Sequence, residues 1–175
     1  MKTLLIVYQS TTGGTLQMVQ ALAAAASAAA ATDTAEAGDN GPALRVRTLA
    51  ARDAGPDDLL AADAYVFACP ENLAAIAGLM KDFFDRCYYP ALEQLNGRAC
   101  ATLVCAGSDG QNAARQIGRI ATGWRLKSVA PPLIVCTHAQ TPEAILAPKT
   151  IAAPDLQRCA ELGAALGAGL ILGIY

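Results

Sequence analysis

Ser10, Thr11, Thr12 and Thr15 place four hydroxyls within six residues, with Gly13 and Gly14 between them. An apolar run, Leu4 to Tyr8, leads into this segment, and a helix-forming run begins at about Leu16. Hydroxyls and the free N–H groups of a helix start therefore converge at the positive end of the helix dipole, which makes an anion cradle. Its natural guest is a phosphate. No Lys or Arg stands in the segment, so hydrogen bonds must hold the anion, an arrangement that suits a monophosphate. The competing explanation, a strand-to-helix turn with ordinary Ser and Thr caps, requires no ligand.

Several chemistries are excluded by spacing. The segment lacks the Gly-Lys-Ser/Thr ending of a P-loop and the G-x-G-x-x-G of a dinucleotide fingerprint. A Cys-x5-Arg phosphatase loop fails too: six residues beyond Cys69, Cys105 and Cys136 stand Ala75, Gln111 and Pro142. A phosphoacceptor receiver needs acids after the first and third strands, where this chain has Gln9 and Cys69. Cys69, Cys105 and Cys136 fall near the ends of adjacent strands, with His138 just beyond. A thiol cluster there is conceivable, but fold regularity alone produces this spacing, and no metal site is expected.

The elements that must carry these residues alternate along the whole chain. Strands are expected at Leu4–Tyr8, Leu44–Leu49, Ala64–Cys69, Cys100–Ala106 and within Val129–Cys136. Arg45 and Arg47 alternate outward in the second, as on an edge strand. Helices are expected from about Leu16, at Pro56–Ala62, Ala75–Tyr88 (stopped by Pro90), Gln111–Trp124 and Pro154–Ile174. Residues 23–43 read as an alanine-rich insert, a fraying helix end followed by a mobile loop. Five strand–helix units imply one α/β domain over 1–175 with a parallel sheet. Two architectures fit, a doubly wound sheet of order 2-1-3-4-5 and a truncated dinucleotide-type sheet, and both put their ligand beyond the C-terminal strand ends. The loops starting at Gln9, Pro70 and Gly107 occupy those ends.

The stretch Ile6-Val7-Tyr8-Gln9-Ser10-Thr11-Thr12-Gly13-Gly14-Thr15 resembles the phosphate signature of flavodoxins, departing at Val19, where they usually carry Ala. Cys69-Pro70-Glu71-Asn72, followed by Gly78-Leu79-Met80-Lys81-Asp82-Phe83-Phe84-Asp85-Arg86, is similar to the flavodoxin-like NAD(P)H:FMN reductase and multimeric flavodoxin group. So are Gly107-Ser108-Asp109-Gly110-Gln111, Ala139-Gln140-Thr141-Pro142-Glu143 and Pro148-Lys149. The resemblance implies a flavodoxin-like three-layer sandwich with a five-stranded parallel sheet in order 2-1-3-4-5. It also implies FMN as cofactor and NAD(P)H as electron donor, with a flavin, quinone or similar acceptor. On that pattern Ser10, Thr11, Thr12, Gly13, Gly14 and Thr15 hold the phosphate. Pro70, Glu71, Asn72 and Leu73 flank the ribityl chain and ring, and Gly107, Ser108 and Gly110 bring amides to the ring's edge. Where relatives carry aromatics after Glu-Asn, this chain has Leu73-Ala74-Ala75-Ile76-Ala77, which removes a stacking contact worth about 1 kcal/mol. An electron carrier without NAD(P)H turnover, or a module that has lost FMN, are the alternatives this departure leaves open.

Composition narrows the setting. With 175 residues, 54% hydrophobic and 16% charged, the chain has a core and is not disordered. Thirteen basic against fifteen acidic residues, net −2, give nothing to neutralise a nucleic-acid backbone. Six cysteines without close pairing point to reduced thiols in the cytoplasm. The apolar start imitates a signal peptide but breaks at Gln9–Thr15, and the apolar end, Leu162–Tyr175, is too short to span a bilayer. Gly163, Gly167, Gly169 and Gly173 allow close approach of the last helix to its own sheet or to another subunit, and a homo-oligomer is expected.

Overall fold

The run Leu4-Leu5-Ile6-Val7 has no polar alternation, so it suits only a strand covered on both faces; in the computed structural model it is the fully buried centre of β1 (Lys2–Tyr8). The structure describes residues 1–37 and 44–175. β2 (Leu44–Ala50) runs parallel to β1 at the sheet edge, Lys2 opposite Leu44 and Tyr8 opposite Ala50. β3 (Ala64–Asn72) lies on the other side of β1, and a two-residue strand, β4 (Ala75–Ile76), folds back antiparallel on its end. β5 (Ala99–Ala106) pairs with β3 in parallel. Beyond β5 come two short pieces, β6 (Lys127–Ser128) and β7 (Leu133–Cys136). The order β2-β1-β3-β5, closed by those pieces, is the expected 2-1-3-4-5 sheet with its last strand interrupted. Pro131 and Pro132 sit in the interruption, where neither can donate to a ladder.

Successive side chains of each strand face opposite layers. Leu4, Ile6 and Val66 meet Met18, Val19 and Leu22 of α1 (Gly14–Ala37) and Cys159, Leu166 and Leu170 of α6 (Ala153–Ile171). Leu5, Val7, Tyr65 and Phe67 face α2 (Pro56–Leu60), α3 (Gly78–Ala91) and α4 (Gln111–Gly123). That second core is aromatic: Phe84 lies 5.2 Å from Phe67 and 5.7 Å from Trp124, centroid to centroid. A short α5 (Pro142–Leu146) stands in the loop between β7 and α6, capped by the Thr141 hydroxyl, which accepts from Ala144 N–H. Among the described residues no helix is long and apolar enough to cross a membrane.

Four expectations shift. The alanine-rich stretch stays helical through Ala37, because alanine has the best helix propensity and the small residues fit against α6; the loop expected up to residue 43 lies, from 38 onward, outside the described residues. Ala75 and Ile76 form β4 rather than opening α3, since Leu73 and Ala74 turn the chain back with φ of +50° and +57°. Pro90 falls in the last turn of α3, where it removes a single N–H, and the helix ends at Ala91. The glycines of α6 face α1 rather than the sheet: a Cβ on Gly163 would lie 2.1 Å from the Leu22 carbonyl oxygen, and one on Gly167 2.8 Å from that of Ala26. They let α6 close directly onto the backbone of α1, while Gly169 lies against the ring of Tyr175.

Candidate functional site

β1 delivers the hydroxyl-rich segment to the C-terminal edge of the sheet, and Gly13, with φ +86°, makes the bend into α1. The Ser10 hydroxyl oxygen accepts from Leu16 N–H at 3.2 Å, leaving its own proton free to donate. Among the described residues the N–H groups of Thr12, Gly13, Gly14 and Thr15 have no backbone acceptor, as expected for a helix start. Thr15 is only 2% exposed, and its Oγ1 has no hydrogen-bond partner. Gly14 is required by space as well as by sequence: a Cβ there would stand 2.7 Å from Cys105 Sγ and 3.3 Å from the Lys149 side chain.

β3 runs past Cys69 to place Pro70 beside Cys105 of β5 and to carry Glu71 and Asn72 into the hairpin with β4. Glu71 Oε2 accepts from Gly110 N–H at 2.9 Å, whereas its Oε1 is buried without a partner. Gly110 has φ +76°, and a Cβ on it would lie 2.6 Å from Ile134 Cγ2. That glycine is thus needed to present its amide to the carboxylate. From the third edge, Thr137 N–H and its hydroxyl both donate to Ala106 O, and His138 N–H donates to Gly107 O.

These segments enclose a cleft of about 200 Å³. Its walls are Ser10, Thr11, Thr12, Gly14 and Thr15 on one side and Pro70, Glu71 and Asn72 on another, with Gly107 between them. Nine of the expected residues are therefore brought together. Gly13 shapes the loop from behind, and Gly110 acts through Glu71. Leu73 sits at the hairpin tip, fully exposed, and Ser108 is exposed on its loop; neither lines the cleft. Sequence reasoning did not assign Cys105, Ala106, Thr137 or the segment carrying Ile145, Leu146 and Lys149 to the cofactor site, although it had noted Cys105 at a strand end and Pro148-Lys149 among the resembling motifs; all six contribute to the walls. The signal available for that segment was Pro148-Lys149, a cation placed just after the last strand.

Two buried oxygens without partners, Thr15 Oγ1 and Glu71 Oε1, border one cleft. Each costs about 1–3 kcal/mol while unsatisfied, so the cleft offers a ligand one buried hydroxyl donor and one buried carboxylate acceptor. The bare amides fit a phosphomonoester at the Thr15 end. The thiols do not supply a nucleophile. Burial pushes Cys69 up to about 11. Burial also raises Cys105, against the opposing pull of the Lys149 ammonium and of the Thr15 hydroxyl, which borders the thiol without being satisfied by it. Cys136 is raised by burial and by the carboxylates of Asp109 and Glu71. Among the described residues no three His, Cys, Asp or Glu side chains are grouped to hold a metal ion.

Residues 1–140 match the model of a family described as NADPH-dependent FMN reductase. The sequence matches no curated protein. Among solved structures, an oxidoreductase from Corynebacterium diphtheriae superposes with a TM-score of 0.69 at 23% identity, covering 99% of this chain and 98% of that one. A flavodoxin from the domain Archaea gives 0.69 at 19% identity, with 97% and 99% covered. The rubredoxin oxygen:oxidoreductase of Desulfovibrio gigas gives 0.71 at 12% identity, over 98% of this chain and 37% of that one. At these identities the likeness establishes a flavodoxin-like fold.

Proposed function

The chain belongs to the family of NADPH-dependent FMN reductases, and from that premise we propose that it is an oxidoreductase that binds FMN in this cleft and passes electrons from NAD(P)H to a flavin, quinone or similar acceptor. The observation that carries this is the buried, unpartnered Thr15 hydroxyl beside the bare amides of the α1 start, a donor set that fits a phosphate monoester. Ser10, Thr12 and Thr15 would hold that phosphate. Pro70, Glu71 and Asn72 would flank the ribityl chain and ring, and the backbone at Gly107 would approach the ring without a Cβ in the way. Bound FMN supplies the hydride and one-electron chemistry, which leaves the chain to bind, orient and exclude water. Glu71, fixed through Oε2 by Gly110 N–H, would offer its unpartnered Oε1 as an acceptor to the bound flavin; the buried thiols are given no part in the reaction.

Pockets that enclose a small molecule usually run to about 300–1,000 Å³, and this cleft holds about 200 Å³. Together with the missing aromatics at 73–77, that supports loose, exchangeable binding, with FMN leaving readily. Ile145 and Leu146, 51% and 77% exposed at the cleft wall, are the apolar surfaces available to a ring there, and their exposure supports a homo-oligomer in which a second copy would cover them. The low net charge and buried reduced thiols support a cytoplasmic protein that acts on small molecules without nucleic acid or membrane.

The test is a visible spectrum of purified protein after FMN addition and desalting, then with NAD(P)H. A flavin band bleached by the nicotinamide supports the reductase. A band indifferent to NAD(P)H selects the electron carrier instead. No band and no NAD(P)H turnover with free FMN would sink the proposal.

A further inference from the structure

The hydroxyl-rich loop contains no cation, yet the fold brings one to it from the far end of the chain. Lys149 lines the same cleft as Ser10, Thr11, Thr12, Gly14 and Thr15. Its backbone is stitched to the loop: Lys149 N–H donates to Thr12 O at 2.8 Å, and Lys149 O accepts from Gln17 Nε2 at 2.6 Å. Gln17 completes the tie by donating to Gly13 O and accepting from Ile151 N–H. The ammonium itself donates to the carbonyls of Ala144, Ile145 and Ala147 at 2.7, 2.9 and 2.6 Å. Those dipoles hold it in place without cancelling its charge, and among the described residues no carboxylate pairs with it.

We propose that Lys149 is the cation of the phosphate site, the group through which the cleft prefers a phosphorylated flavin to an unphosphorylated one. The inference rests on the FMN reading above. Two independent observations carry it: a lysine on the cleft wall whose ammonium has no counter-ion among the described residues, and a buried Thr15 hydroxyl on the same wall with no partner. A phosphomonoester near neutral pH carries between one and two negative charges; hydroxyls and amides solvate it by hydrogen bonding, and a fixed cation nearby adds a coulombic attraction that an unphosphorylated flavin cannot draw on. The field of Lys149 already reaches this spot, since it opposes the effect of burial on Cys105 directly beneath Gly14. The ammonium keeps its three carbonyl bonds while acting, so the site needs no rearrangement to charge it.

Riboflavin, which has the same ring and ribityl chain without the phosphate, is the matched probe. Fluorescence titrations with FMN and with riboflavin compare wild type, Lys149→Gln and Lys149→Arg at low and high salt. Gln retains N–H donors for the carbonyls of α5 but no charge; Arg keeps the charge. Wild type is expected to favour FMN. Lys149→Gln is expected to weaken FMN by about three- to tenfold, the scale of a partly screened unit charge acting without a hydrogen bond of its own, to leave riboflavin unchanged and to flatten the salt dependence. Lys149→Arg is expected to retain the preference. Equal weakening of both ligands by Lys149→Gln would reduce the lysine to a structural cap and overturn the inference, as would an undiminished FMN preference. Failure of the wild type itself to distinguish the two flavins would instead overturn the phosphate-loop reading on which it rests.

Discussion

Replacing Gly163 by Ala adds one methyl group where α6 crosses α1 with no room for it. The new Cβ would stand 2.1 Å from the Leu22 carbonyl oxygen and 2.8 and 2.9 Å from Leu22 C and Cα, against the 3.4 Å at which ordinary contact begins. The obstacle is main chain within a helix, so it cannot rotate aside, and the two helices must part by roughly 1 Å. Ala in place of Gly inside a helix contributes about 1 kcal/mol of stability. Forcing an extra methyl into a packed interface costs about 1–3 kcal/mol, and rigid main chain puts this case at the upper end. The net expectation is a loss of about 1–2 kcal/mol by that reckoning. Two companions calibrate it. Gly118→Ala in α4 meets nothing within 4 Å and should stabilise by about 0.5–1 kcal/mol. Gly167→Ala, with Ala26 O at 2.8 Å, should fall between the two. Urea melts read the ordering directly. With m-values of about 1–3 kcal/mol/M, the midpoints of Gly118→Ala and Gly163→Ala should differ by about 0.5–3 M. A Gly163→Ala variant as stable as Gly118→Ala would refute the close-approach account of the α1–α6 contact. Because the N-terminus of α1 adjoins the proposed phosphate loop, the same variant should also weaken FMN binding.

Thr12→Ala combined with Thr15→Ala should weaken FMN binding by about 1–3 kcal/mol while leaving the melting temperature nearly intact, and unchanged affinity in a titration would remove the phosphate-loop assignment. Gly110→Ala meets both a φ of +76° and a Cβ 2.6 Å from Ile134 Cγ2; a loss of about 2–3 kcal/mol is expected in thermal melts followed by circular dichroism. Leu73→Asn with Ala74→Gly supplies the residue types that a two-residue turn with positive φ at both positions favours, and should stabilise by about 1 kcal/mol; a lower melting temperature would contradict the hairpin described here. Burial holds Cys69, Cys87, Cys100 and Cys159 up at about 11, above the unfolded thiol at about 8.5. Their contribution is complete below the unfolded value and is lost as pH climbs toward 11, because the unfolded chain releases protons that the folded one retains. Melting temperatures should therefore drop between pH 8 and pH 10, and a flat profile would count against buried neutral thiols.

The parallel sheet and the placement of the hydroxyl-rich loop at its C-terminal edge were readable because both are local patterns. Leu4 to Val7 has the unbroken apolarity of a doubly covered strand, and Ser10 to Thr15 concentrates donors in one short segment. Lys149 was not assigned a role because its partners, Thr12 and Gln17, lie at the opposite end of the chain, and nothing in a local window links them. Leu73 and Ala74 misled for another reason. Neither residue favours positive φ, so the hairpin forms against local preference, and Ala75–Ile76 passed as the start of a helix. Gly110 was identified as a loop glycine that exposes its amide to a ligand, whereas its amide binds Glu71. That distinction depends on where the carboxylate points, which tertiary structure alone determines. The α6 glycines were recognised as a close-approach surface, but the spacing does not name the partner; the small residues of α1 do.

Trp124 is the chain's single tryptophan. It is wholly buried, stacked on Tyr88 with ring centroids 5.7 Å apart, and its Nε1–H donates to Tyr88 O at 3.0 Å. All of this belongs to the aromatic core on one face of the sheet, while Gly163 and the α1–α6 contact belong to the other. The protein consequently carries an optical reporter for one layer only. Indole emission follows the α3–α4 side, and far-ultraviolet dichroism is weighted toward the long helices of the opposite side. Coincident curves mean that the sheet couples the two layers into one cooperative unit. If loosening α1 against α6 shifts the dichroism before the fluorescence, the hydroxyl-rich loop proposed to bind flavin belongs to a layer that can yield while the aromatic face remains intact.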